Sequence, residues 1–172
     1  MKNEIEETLK VLIGLPLWEA GRAASLEWFS FGWQRNTITM RNGKTTIVSD
    51  YSLHTESAWL IAINQRIIVA SQDRLYPAGE DPYKDLLEFD WDRPGVNRCD
   101  ERMNSFIEEH KESPLIVESL EADFLGGLKL YLSENTILEI FPNTSLDSEY
   151  WRFFKPGNTQ KHFVITAHGI ED

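Results

Sequence analysis

The last third of the chain is cut into short apolar runs by turn-forming residues. Leu115–Phe124, Leu128–Leu132, Thr136–Phe141, Tyr150–Phe154 and His162–Ala167 are separated by Gly126-Gly127, Ser133-Glu134-Asn135, Pro142-Asn143 and Pro156-Gly157. Each spacer is rich in residues that tolerate turns, so each run is expected to be a strand. A parallel crossover needs a dozen or more residues, which these spacers do not supply. Neighbouring strands must therefore run antiparallel.

The same pattern appears earlier. Leu26-Glu27-Trp28-Phe29-Ser30-Phe31-Gly32-Trp33 is aromatic-rich and suits a strand. Thr37–Arg41 and Lys44–Ser49 flank Asn42-Gly43, whose residues accept the positive φ of a tight hairpin. Tyr51–Ile63 reads as one long or broken strand, and Asn64-Gln65 turns it back into Arg66–Ser71. Two helices complete the pattern. Asn3–Ile13 carries Ile5, Leu9, Leu12 and Ile13 on one face, with Asn3 as cap, Glu6 at capping-box spacing and Gly14 and Pro16 as terminators. Arg98–Lys111 is capped by Asn97, and Cys99, Met103, Phe106, Ile107 and His110 form its apolar face. The stretch from Asp73 to Gly95 holds four prolines or glycines among many acids before its final Gly95 and reads as a surface loop, with a short helical turn over Tyr83–Phe89.

These elements predict an α+β fold over residues 1–172 as a single globular domain. Its centre is a large curved antiparallel sheet, or two packed sheets, of eight to ten strands with two or three helices. Trp28 or Phe29, Ile61, Leu130, Ile140, Phe154 and Val164 are expected to share one core.

Composition narrows the function. The chain has 172 residues, enough to bury about two-thirds of its unfolded surface without a metal or disulfide staple. No apolar run reaches the roughly 18 residues of a membrane span. The N-terminal stretch MKNEIEETLK is acidic and amphipathic, unlike a signal peptide. One cysteine, Cys99, forms no intrachain disulfide, which favours a reducing, cytoplasmic compartment. The formal charge of −11 disfavours nucleic acid and anionic lipid, whose binding needs Lys and Arg. It favours either plain solubility or a basic protein partner.

Motifs for catalysis are missing from the sequence. No Gly-x-Ser-x-Gly elbow occurs, and Cys99 sits beside Met103 on an apolar helix face as a buried hydrophobe would. His54, His110, His162 and His168 lack zinc spacing. His54 reads as a half-buried hydrogen-bonded histidine, with general-base duty as the chemical alternative. Asp90, Asp92, Gly95 and Glu101 fall at calcium-loop positions 1, 3, 6 and 12, but Pro94 and Asn97 break the motif at positions 5 and 8. No metal or other cofactor is therefore expected. The Asp-x-Asp pair at 90 and 92 also lacks a glycine-rich phosphate loop. The competing reading is structural. Asp92 and Asn97 order the loop and cap the helix, Asp100 and Glu101 complement its dipole, and Arg93, Arg98 and Arg102 pair with these acids.

Several islands have a familiar look: Leu53-His54 with Trp59, Phe89-Asp90-Trp91-Asp92, Asn97-Arg98, Leu138-Glu139-Ile140-Phe141-Pro142, Glu149-Tyr150-Trp151-Arg152-Phe153-Phe154 and His162-Phe163-Val164. Together they resemble a family of small bacterial proteins, some of them immunity proteins bound to secreted toxins. The resemblance implies a binding role and carries over no catalytic residue. The leading expectation is a non-enzymatic module that binds a basic protein such as a toxin domain. Asp90, Trp91, Asp92, Asp100 and Glu101 are its candidate contact residues, within an acidic segment 85–101 and with Trp91 as anchor. A small-ligand binder with an aromatic pocket and an enzyme lacking known motifs remain alternatives.

Overall fold

The computed structural model describes residues 1–33, 36–39, 42–81, 83 and 89–171. The expected turn at Tyr83–Phe89 lies mostly outside these residues, as does the end of the Thr37–Arg41 run. Helix α1 (Lys2–Leu9) leads through a 3-10 turn at Lys10–Leu12 into β1 (Pro16–Ala23) and β2 (Leu26–Phe31). A small hairpin, β3 (Asn36–Thr39) and β4 (Thr45–Val48), forms a separate two-stranded sheet. Then come β5 (Tyr51–Thr55), β6 (Ala58–Ile63), β7 (Arg66–Ala70) and a 3-10 turn at Ser71–Leu75. Helix α2 (Arg98–Glu109) follows the long loop, and β8 (Leu115–Ala122), β9 (Leu128–Leu132), β10 (Thr136–Phe141), β11 (Glu149–Phe154), β12 (Phe163–Thr166) and β13 (Gly169–Ile170) complete the chain.

The large sheet is antiparallel throughout, in the order β13-β12-β11-β5-β2-β1-β8-β9-β10-β6-β7. It bends back over its own face. Phe29 of β2 and Trp59 of β6 meet edge to face at 5.4 Å although four strands separate β2 from β6 in that order. The narrow joint is β1–β8, where only Pro16↔Ile116 and Leu17↔Leu115 pair. One cluster of buried apolar side chains fills the concave side, with Phe29, Leu53, Trp59, Ile61, Leu130 and Ile140 at its centre. Helices α1 and α2 add Ile5, Leu9, Cys99, Met103 and Phe106 to it.

The structure changes several expectations. Thirteen strands are present among the described residues, against the expected eight to ten. The difference comes from β1, from the two-residue β13, and from a break that divides Tyr51–Ile63 into β5 and β6. At that break, the Thr55 hydroxyl accepts from Ser57 N–H and donates to Tyr150 C=O, so a corner is fixed there. Helix α1 begins at Lys2, not at an Asn3 cap, and has no side-chain cap. Glu6 does not close a capping box. Its carboxylate instead accepts from Ala122 N–H of β8, 116 residues away. Ile13 is 49% exposed, because the helical phase ends before it.

Of the expected core, Phe29, Ile61, Leu130 and Ile140 share the cluster. Strand alternation puts Trp28 and Phe154 on the opposite face, both half-buried. Val164 is buried but outside the cluster. No helix among the described residues is long and apolar enough to cross a membrane.

Candidate functional site

Arg22 is the centre of an extended polar arrangement that joins β1, the loop at 91–97 and α2. It sits near the end of β1, where its register partner across the β1–β2 hairpin is Glu27. Its guanidinium grips Asp100 of α2 in a two-pronged pair, Nε to Oδ1 at 2.6 Å and Nη2 to Oδ2 at 2.9 Å. Such fork-to-fork pairing is among the stronger polar contacts a protein makes. The same side chain reaches the backbone carbonyls of Ala24, Trp91, Asp92 and Arg93 at 3.2–3.4 Å. Its Nη1 also lies 3.5 Å from the Asp92 carboxylate. Only 7% of the Arg22 side chain and 12% of that of Asp100 is exposed. The Asp100 hydrogen bonds raise the Arg22 pKa further above its ordinary value, against the opposing effect of burial.

Helix α2 starts from this pair. Asn97 is fully buried, and its side chain accepts from Asp100 N–H at 2.8 Å, the expected N-cap bond. Its amide donates to Trp91 C=O at 3.0 Å and to Asp100 Oδ2 at 3.2 Å. Gly95 N–H donates to the same Oδ2 at 2.6 Å. Loop residues 91–97 are thus held by a strand, a helix cap and a helix carboxylate together.

Glu27 lies beside this cluster on the core face of β2, 4% exposed. Its carboxyl makes no hydrogen bond or ion pair among the described residues. Burial pushes its pKa up to about 9, Asp100 raises it further, and Arg22 and Arg74 pull it down. At neutral pH it is therefore a neutral acid. Cys99, beneath it on α2, is a free buried thiol also pushed up, first by burial and then by Glu27 and Asp100. That environment disfavours the thiolate a nucleophile needs. Arg22, Glu27, Asp92, Cys99 and Asp100 line a cavity of about 570 Å³ with Met103 and Trp28.

The five candidate contact residues divide. Asp90, Asp92 and Glu101 are exposed and Trp91 is half-buried. Asp90 accepts from Asp92 N–H, and the guanidinium of Arg74 stands 5.9 Å from the centre of the Trp91 ring. Asp100 is turned inward and occupied by Arg22, Gly95 and Asn97. Glu101 is directed elsewhere, accepting from Gly79 N–H at 3.1 Å. The expected pairing of these acids with Arg98 and Arg102 gives way to other partners. Arg98 pairs with Asp73, and Arg102 donates to Ile68 C=O. Arg22 takes the role instead. No cluster of three or more His, Cys, Asp or Glu suited to a metal occurs among the described residues.

Two further places bear on the alternatives. His54 lies on the outer face of the sheet, edge-on to Phe154, which stacks on His162 with centroids 4.1 Å apart. Burial, then Arg152 and His162, lower the His54 pKa. An open cleft of about 790 Å³ near β5 is lined by Trp33, Tyr51, Asp50 and Lys155, with Trp33 63% exposed.

No family model, no curated protein and no solved structure matches the chain.

Proposed function

We propose that this chain is a non-enzymatic module that binds a basic protein, in the manner of an immunity protein held against a toxin domain. The contact surface is the loop bearing Asp90, Trp91 and Asp92, while Glu101 is engaged with Gly79. The observation that carries this reading is the fastening of the loop from behind. Arg22 and Asn97 hold the carbonyls of Trp91, Asp92 and Arg93 from the inner side. Asp90 and Asp92 are exposed on either side of the half-buried Trp91 in the chain, and the Asp92 carboxylate also lies 3.5 Å from Arg22. A surface already ordered before binding loses little conformational entropy on contact. Acids on its rim steer a cationic partner toward it. The charge of −11 adds a longer-range attraction of the same sign. The buried free thiol of Cys99 suits a reducing cytoplasm.

The test places a photo-crosslinking side chain at position 92 and identifies what it captures. Surface plasmon resonance with the captured protein then compares wild type with Asp90→Asn. A basic partner whose association slows in salt and in the variant supports the reading. An acidic partner, or association rates indifferent to both changes, overturns it.

A further inference from the structure

The cavity beneath the loop has a different chemistry from the loop surface above it. Its lining holds three carboxyls, Glu27, Asp92 and Asp100, against one guanidinium, Arg22. Arg22 and Asp100 satisfy each other, and the exposed Asp92 already leans on Arg22. Glu27 is left over. It is more than nine-tenths buried, lines the cavity and has no hydrogen-bond partner among the described residues. What little of the residue reaches solvent does so from the cavity wall, and a carboxyl so largely removed from water is costly to ionise unless a cation partners it.

We infer that this cavity receives an organic cation, an alkylammonium or alkylguanidinium group, whose charged end pairs with the Glu27 carboxylate. An anion would meet three carboxyls. A cation would restore the balance and lay its methylenes along Met103 and Cys99. The cation comes either as a free small molecule or as a Lys or Arg side chain of the basic partner. The second source rests on the function proposed above, whereas the chemistry of the cavity does not.

Binding is linked to a proton. The groups facing Glu27 are Arg22 on β1, Asp100 and Cys99 on α2, and Arg74 on the turn at 71–75. In the empty cavity Glu27 holds its proton at neutral pH. An arriving cation favours the carboxylate, so the proton leaves to solvent as the ion pair forms.

The test uses n-propylguanidinium, its neutral shape analogue n-propylurea, and a short peptide with one arginine between lysines. Each is titrated against the full chain from pH 6.5 to 9.5 and followed by amide NMR. Propylguanidinium affinity is expected to rise about tenfold per pH unit and to level off near pH 9, as the ionised fraction of Glu27 grows. Propylurea should bind at least tenfold more weakly at pH 9, and Glu27→Gln should abolish the pH dependence. The variant's spectrum reports whether it folds, and its Asp100 and Asn97 amides should stay in place. A peptide binding more than tenfold tighter than propylguanidinium points to a protein side chain as the source. Equal affinities point to a free cation. Equal binding of the urea at pH 9, a flat pH profile, or wild-type affinity in Glu27→Gln at pH 9 overturns the inference. Because these probes are read through Glu27, which is not part of the loop surface, their failure leaves the crosslinking test of the proposed function independent.

Discussion

Replacing Arg22 with alanine should destabilise the fold by about 3 kcal/mol at pH 7, the lower end of the range for breaking a buried ion pair. The figure follows from what is left behind. Asp100 loses both prongs of the pair, at 2.6 and 2.9 Å, in a place where its side chain is only 12% exposed. It keeps Gly95 N–H, the Asn97 amide and a position in the first turn of α2, where the helix dipole favours a negative charge. Those remaining partners hold the loss below the upper end of the range. Glu27 adds little, since its carboxyl is neutral at this pH and Arg22 no longer matters to its charge. Urea unfolding followed by circular dichroism measures the loss. A double-mutant cycle with Asp100→Ala should show coupling well above 1 kcal/mol, as contacting charged residues in a buried network do. Amide exchange at residues 91–97 should accelerate, because the carbonyls of Asp92 and Arg93 lose their tether and that of Trp91 keeps only the Asn97 amide. A loss under about 1 kcal/mol, the size of an exposed pair, would refute the reasoning.

Wild-type stability should fall by about 1.4 kcal/mol per pH unit between roughly pH 5 and 9 beyond the trend of Glu27→Gln. The sign follows from a folded-state pKa near 9 above an unfolded value of 4.5, so the native state holds the extra proton and loses its advantage as pH rises. Parallel profiles for the two proteins in urea titrations would show that Glu27 is not the group responsible. Gly21→Ala places a Cβ 2.6 Å from the Trp28 ring and should cost about 1–3 kcal/mol, measured by thermal unfolding. A variant as stable as wild type would mean that the ring swings aside freely. Trp91→Ala should weaken partner binding by about 2 kcal/mol or more while changing stability by less than half of that, checked by calorimetry beside unfolding. Unaltered affinity would remove Trp91 as the anchor.

Local chemistry made much of the fold legible. Asn64 and Gln65 form the expected turn, here between β6 and β7, and both take the positive φ of a tight hairpin. Asn97 caps α2 as its residue type suggested. What escaped was long-range. Nothing near Glu6 indicates that its partner is the Ala122 amide, and the break at Thr55–Ser57 depends on a carbonyl in β11. β1 escaped because Pro16, Gly21 and two charged residues weaken its strand pattern. The polar centre was half visible. The loop acids stood out in the sequence, while Arg22 is 78 residues from Asp100 and pairs with it only through folding. Glu27 left one signal that could have been used. It shares the alternation of Phe29 and Phe31 in an aromatic strand, so it had to face the same interior as those rings.

Arg22 also explains why loop and cavity belong together. Its guanidinium is at once the tether of the loop backbone and the cation nearest Glu27 on β1. A second cation in the cavity would take the place of the Glu27 proton, so the net charge beside Arg22 would not change. What it adds is packing, because Arg22, Asp92, Pro94 and Gly95 line the same cavity and a guest there fills the space behind the loop. Occupying the cavity should therefore restrict the surface that carries Asp90 and Trp91, without any rearrangement of the sheet. A basic partner that used both would meet a better-ordered loop once its side chain was in place. The coupling is reciprocal by necessity, so a partner bound only at the loop would raise the affinity of the cavity for a free cation by the same factor.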